Sequence, residues 1–151
     1  MSRVFLRIMQ RFLCHIVFGA NIDHLEVKIR SRKNSKDPYT ESIMSLSDAI
    51  ETTFLQIFET GPAKLGNPIW KTLYSLTGKS YAMTPFVKMV DQNSANIRTC
   101  IRDYVQKRIS GELASDVKGK NDLLSLMLAS PEIFTLEDCV DELMDFLAAG
   151  T

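Results

Sequence analysis

The chain has 151 residues, 45 % of them apolar, enough to bury one ordinary hydrophobic core and so to form one globular domain or a piece of one. Its 18 basic residues are matched by 18 acidic ones, so it lacks the net cationic footprint that binding to nucleic acid requires, and no nucleic-acid partner is expected. Three cysteines, Cys14, Cys100 and Cys139, are odd in number and far apart, with no CxxC pair among them; this argues against a disulfide framework, and a reducing compartment is expected.

In chain order, Phe5, Met9, Phe12, Leu13, Ile16 and Val17 recur at the three-to-four spacing of one helical face, and Gly19 with Asn21 supplies a stop. Arg7 and Arg11 interrupt this apolar opening before it reaches membrane-spanning length, so it reads neither as a signal peptide nor as a transmembrane helix. The segment KIRSRKNSK, Lys28 to Lys36, holds five basic residues and no acid; it reads as a solvated loop or as a docking patch for an anionic surface. From Tyr39 to Glu59, Ile43, Met44, Leu46, Ile50, Phe54, Leu55 and Phe58 keep helical period until Gly61-Pro62, which predicts one long helix.

The following stretch, Gly61 to Pro85, is dense in Gly, Pro and aromatic residues, which predicts turns around a short helical piece carrying Trp70, Leu73 and Tyr74. Thr84 and Pro85 form an N-cap and first-turn pair, and Phe86, Val90, Ile97, Ile101, Val105 and Ile109 mark one stripe ending at Ser110-Gly111. A polar connection leads to a short apolar helix, DLLSLML, closed by Ser130-Pro131. Thr135 and Asp138 resemble a capping box that starts a last helix running to the final residues, FLAAGT. The fold class is all-α, with no sheet expected.

Motifs of chemistry are scarce. His15 and His24 are isolated, which argues against a histidine metal site or a triad. Asp138, Asp141, Glu142 and Asp145 gather on the last helix, either as ligands for a hard cation and acid-base groups or, as the first turns of a helix favour, as a solvated acidic face. There is no GxGxxG, P-loop, GxSxG or HExxH.

The order of segments carries more than any single motif. A helix ending in HIVFGANID, a polar loop, two long helices flanking an apolar Pro-rich connection, then RDYVQKR, DLLSLML and DELMDFLAAGT together resemble the middle of a eukaryotic microsomal cytochrome P-450, over about Phe5 to Thr151. The resemblance implies a partial P-450 fold comprising helices E, F, G, H and the first half of helix I. Residues 1–151 would then be a central fragment of one such domain, truncated at both ends. Helix I of that family carries Ala or Gly, then Gly, any residue, an acid and a threonine. Ala149 and Gly150 match the first two places and Thr151 is the variable third, so the acid-threonine pair would follow Thr151 and no catalytic residue is assigned within the chain.

By the same resemblance, Ala149 and Gly150 would line the distal pocket over the haem (heme), and Phe146 the substrate pocket, with plain core packing as the other reading of Phe146. The family's haem-ligand motif FxxGxRxCxG is absent: around Cys100 only Arg98 fits, Cys14 and Cys139 match nothing, and no Glu is followed three residues later by Arg. The implied parent is a haem-thiolate monooxygenase of the endoplasmic reticulum membrane, on the cytosolic face. It would oxidise an apolar small-molecule substrate with dioxygen and electrons from an NADPH-dependent reductase. The 61–85 segment would touch the membrane peripherally, and the isolated chain would be inactive. The alternative is a non-catalytic helical binding or interaction module derived from that fold.

Overall fold

A computed structural model describes residues 3–32, 37–66, 68–77, 84–113 and 122–149. The described chain is mostly helical, in the order α1 (Arg3–Phe18), β1 (Glu26–Ser31), β2 (Thr40–Ser45), α2 (Leu46–Gly66), α3 (Pro68–Thr77), α4 (Pro85–Ile109), α5 (Leu123–Leu128) and α6 (Leu136–Ala149). The expectation of no sheet is therefore corrected: β1 and β2 form a two-stranded antiparallel sheet with Val27 opposite Met44 and Ile29 opposite Ser42.

The hairpin follows from the period-two pattern of EVKIRS, in which Val27 and Ile29 are buried while Glu26, Lys28 and Arg30 face out. The basic segment that reads as a solvated loop thus begins inside a strand, and its Lys28 and Arg30 both pair with Glu41 of β2 at 2.6 and 3.0 Å; residues 33–36 lie outside the described residues. The helix predicted from Tyr39 starts instead at Leu46. Ser45 sets that start as an N-cap: its Oγ accepts from the Asp48 N–H at 3.2 Å and donates to Asp48 Oδ2 at 2.9 Å, at the strand-to-helix corner. At the far end α2 runs through Gly61-Pro62 to Gly66.

The edge of β1 that faces away from β2 is covered by side-chain amides rather than by a third strand. Asn96 of α4 donates to the Lys28 carbonyl at 2.8 Å, and Asn93 both accepts from the Arg30 N–H at 2.9 Å and donates to the Arg30 carbonyl at 2.8 Å. Gln56 of α2 joins them, donating to the same Arg30 carbonyl at 3.1 Å and accepting from Asn93 at 2.9 Å. An exposed strand edge invites foreign pairing, and here two helices satisfy it.

One core runs through the described elements: Cys14, Val17 and Phe18 of α1, Val27 and Ile29 of β1, Leu46 and Ile50 of α2, Ile97, Ile101, Tyr104 and Val105 of α4, and Val140, Leu143 and Leu147 of α6. The Phe18 and Tyr104 rings meet edge to face at 5.4 Å, the arrangement favoured by the aromatic quadrupole. The predicted α4 stripe is buried at Val90, Ile97, Ile101 and Val105, as the spacing requires, whereas Ile109 at its end is exposed. On α1 the predicted stripe is right in part: Val17 is buried and Leu13 half-buried, but Phe12 and Ile16 are exposed and Cys14 is buried, because the core lies under the rotation set by Cys14, Val17 and Phe18.

Candidate functional site

Helices α2, α4 and α6 converge on a cleft of about 50 Å³. Ile50, Thr53, Phe54 and Ile57 reach it from α2, Ser94 and Ile97 from α4, and Met144, Leu147 and Ala148 from α6. Four consecutive inward positions of α2 supply one wall because i, i+3, i+4 and i+7 share a helical face. α4 is held in register by the Thr84 cap, whose Oγ1 accepts from the Val87 N–H at 3.2 Å. α6 is started by its capping box: Asp138 accepts from the Thr135 N–H and hydroxyl at 2.8 and 2.6 Å and its own N–H returns to Thr135 Oγ1 at 3.3 Å. The lining is apolar except at Ser94 and Thr53. Thr53 is 3 % exposed, and its hydroxyl oxygen has no hydrogen-bond partner.

The α4–α6 wall is clamped from outside by charge. Arg98 pairs with Asp141 and, at 3.0 Å, with Glu137, which also takes Arg102 at 2.5 Å. Two of the four acidic residues that suggested a cation site are thus engaged otherwise: Asp141 in this clamp and Asp138 in the cap. Among the described residues no group of three or more His, Cys, Asp or Glu side chains is arranged to hold a metal ion. Hydrogen bonds from Arg102 and Arg98 hold the Glu137 carboxyl below its ordinary range, those from Thr135 lower Asp138, and those from Lys28 and Arg30 lower Glu41. All three carboxyls are shifted downward on folding, so their contribution is complete above the unfolded carboxylate range near pH ~4 and is lost as pH falls through the lower folded values. The melting temperature is expected to hold between neutral pH and about pH 5 and to fall below about pH 4. Because these pairs are exposed, added salt should flatten that fall, as thermal melts across pH at two ionic strengths would register.

Of the residues implied for the distal and substrate pockets, Phe146 and Ala149 lie on α6. Phe146 is 41 % exposed and is not among the residues lining the cleft, which takes Met144, Leu147 and Ala148 from the same helix. Ala149 is the last residue of α6, its side-chain surroundings lying outside the described residues, as Gly150 and Thr151 do entirely. Of the aromatic connection, α3 carries Trp70, Leu73 and Tyr74; Leu73 is half-buried, and the surroundings of Trp70 and Tyr74 lie outside the described residues. No described helix is long and apolar enough to cross a membrane.

An axial thiolate for haem iron requires a cysteine sulfur facing a space that the porphyrin can occupy. Cys14 and Cys139 are instead buried in the core and Cys100 is half-buried. Burial, with Asp23 adding to it, pushes the Cys14 thiol up to about 12, and burial likewise raises Cys100 and Cys139. Packed in the core, Cys14 and Cys139 do not fit an iron ligand; Cys100 lies outside the FxxGxRxCxG pattern, and no step through haem is assigned to this chain's side chains.

A second, larger cleft of about 630 Å³ opens between the β1 approach and α4, lined by His24, Glu26, Lys28, Asn96, Cys100 and Lys107 among others. Its wall mixes both signs of charge, and Lys28 is already paired with Glu41, so size alone does not recommend it over the cleft of α2, α4 and α6. Thr53 was not singled out by sequence reasoning. Its place four residues before Ile57 and three after Ile50 put it on the inner face of α2, which was the available signal. No family model, curated protein or solved structure matches the chain.

Proposed function

We propose that this chain forms the distal-side wall of a cytochrome P-450, a haem-thiolate monooxygenase that oxidises an apolar organic substrate with dioxygen and electrons from an NADPH-dependent reductase. In this reading α1, α2, α4, α5 and α6 are the family's helices E, F, G, H and the first half of I. The axial cysteine comes from residues outside this chain, so the chain by itself is inactive. Its own side chains wall an apolar pocket and exclude water from it. The endoplasmic reticulum membrane, on the cytosolic face, is the proposed location, with residues 61–85 touching lipid.

The observation that carries this reading is the convergence of α2, α4 and α6 on one apolar cleft, the trio expected to enclose substrate. Exposed apolar side chains support it as well: Leu55 and Phe58 on α2, Ile69 and Leu76 on α3, and Ile8 and Phe12 on α1 make faces of the kind that meet lipid or other protein. One observation favours the alternative of a non-catalytic binding module: α1, β1, α2, α4 and α6 enclose a hydrophobic core of their own side chains, as a self-sufficient helical module requires.

Sequencing the transcript past codon 151, then expressing the whole frame, separates the two. The monooxygenase reading expects an acid-threonine pair, a later FxxGxRxCxG cysteine, and the red-shifted Soret band of a thiolate-ligated ferrous carbonyl in the whole product. The 151-residue chain mixed with haem should lack that band. A frame without the cysteine motif, or a whole product without the band, overturns the monooxygenase and leaves the binding module.

A further inference from the structure

Among the described residues, one buried side-chain polar atom lacks a hydrogen-bond partner, and it lies in the cleft of α2, α4 and α6. Thr53 Oγ1 is buried, lines the cleft, and has no hydrogen-bond partner, although buried hydroxyls are ordinarily paired because desolvation without a partner is costly. Apart from Ser94 of α4, its surroundings are aliphatic and aromatic: Ile50, Phe54, Ile57, Ile97, Met144 and Leu147. Ser94 makes no hydrogen bond to Thr53 Oγ1, and the amides of Gln56 and Asn93 are occupied with each other and the Arg30 backbone.

The geometry points to Thr53 as the specificity-determining residue of this cleft, a hydrogen-bonding anchor for one hydroxyl or carbonyl oxygen on the buried end of an otherwise apolar small molecule. This rests on the reading of α2, α4 and α6 as walls of a ligand pocket. At about 50 Å³ the cleft is far smaller than the roughly 150 Å³ cavity that takes benzene. It therefore accepts the end of a ligand and leaves the remainder toward the half-exposed Ile57 side. A threonine hydroxyl both donates and accepts, so it serves a hydroxyl or a carbonyl alike. An oxygen entering here pairs the orphaned group, whereas a hydrocarbon end leaves it unpaired; discrimination follows from that difference.

Two matched probes test the inference, 1-pentanol and pentane, followed by ligand-observed NMR on the full chain and on its Thr53→Val and Thr53→Ser variants. The parent is expected to prefer pentanol, Thr53→Val to bind it about fivefold more weakly, the worth of one net hydrogen bond, and Thr53→Ser to keep the preference. Pentane should bind the parent and Thr53→Val alike, which shows the cleft intact, and Thr53→Val should melt no lower than the parent. Equal pentanol binding by the parent and Thr53→Val overturns the anchor while leaving an apolar pocket. Failure of both probes overturns the pocket itself. A Thr53→Val chain that melts lower and binds both probes as the parent does assigns the hydroxyl to the fold. None of these outcomes depends on the thiolate spectrum, so failure here and failure of the monooxygenase reading are told apart.

Discussion

Asp122→Ala is expected to destabilise the chain by about 3–5 kcal/mol, the cost of removing one partner from a buried ion pair. The Arg108 and Asp122 side chains are only 5 % and 0 % exposed, with Arg108 Nη2 3.1 Å from Asp122 Oδ2. The pair also ties three elements together. Arg108 at the end of α4 donates to Ser125 Oγ at 2.7 Å and to the Phe18 carbonyl at the end of α1 at 3.4 Å. Asp122 caps α5, accepting from the Ser125 N–H and hydroxyl, each at 2.8 Å. Alanine at 122 leaves a guanidinium buried without its counter-charge and removes the cap at the same time. Urea unfolding should show a lower midpoint at an unchanged slope. Arg108→Met together with Asp122→Leu should recover much of the loss, since an apolar pair strands no charge. A single variant as stable as the parent would show that water reaches the pair.

The second large effect is expected at Asn93, 1 % exposed at the junction of α4, α2 and β1. Asn93→Leu strands the Arg30 N–H, which donates to Asn93 Oδ1 at 2.9 Å, and the Gln56 side-chain oxygen, which accepts from Asn93 Nδ2 at 2.9 Å, and supplies no new bond. Each buried polar group left unpaired costs about 1–3 kcal/mol, less where the strand backbone can reach water. A loss of roughly 2–4 kcal/mol follows for the pair of them. Hydrogen exchange gives the sharper readout, because the damage is local: amides of Val27 to Ser31 should exchange faster while those of α6 change little. A double-mutant cycle with Gln56→Leu should give non-additive losses, as for any two members of one network. Uniform acceleration across α6 would mean instead that Asn93 supports the whole core rather than the hairpin.

Local signals in the sequence predict the elements that local chemistry controls. The start of α4 is legible because Thr84 caps and Pro85 pre-sets the first turn within four residues of chain. The start of α6 is legible for the same reason, through Thr135 and Asp138, and α5 ends beside Ser130-Pro131 as expected. The hairpin was obscured because Ile43 and Met44 happen to extend the three-to-four spacing of α2 backward into β2. What makes 40–45 a strand is pairing with β1, and what holds β1 is a side-chain amide 63 positions away in sequence. Likewise the carboxylates of α6 read as a cluster from spacing alone, while their partners Arg98 and Arg102 lie on another helix.

The sequence by itself determined that the chain is mostly helical, where its capped helices begin, and which spacing turns apolar residues to one side. Caps and periodicity act over a few residues, so they can be read without knowing the fold. Only the tertiary structure decided that a hairpin interrupts the helices, that Cys14 and not Phe12 faces the core, and that Thr53 is buried without a partner in the cleft. Each of those is set by which distant side chains share a volume, and the free energy of burial and of hydrogen bonding depends on that neighbourhood rather than on the order of residues along the chain.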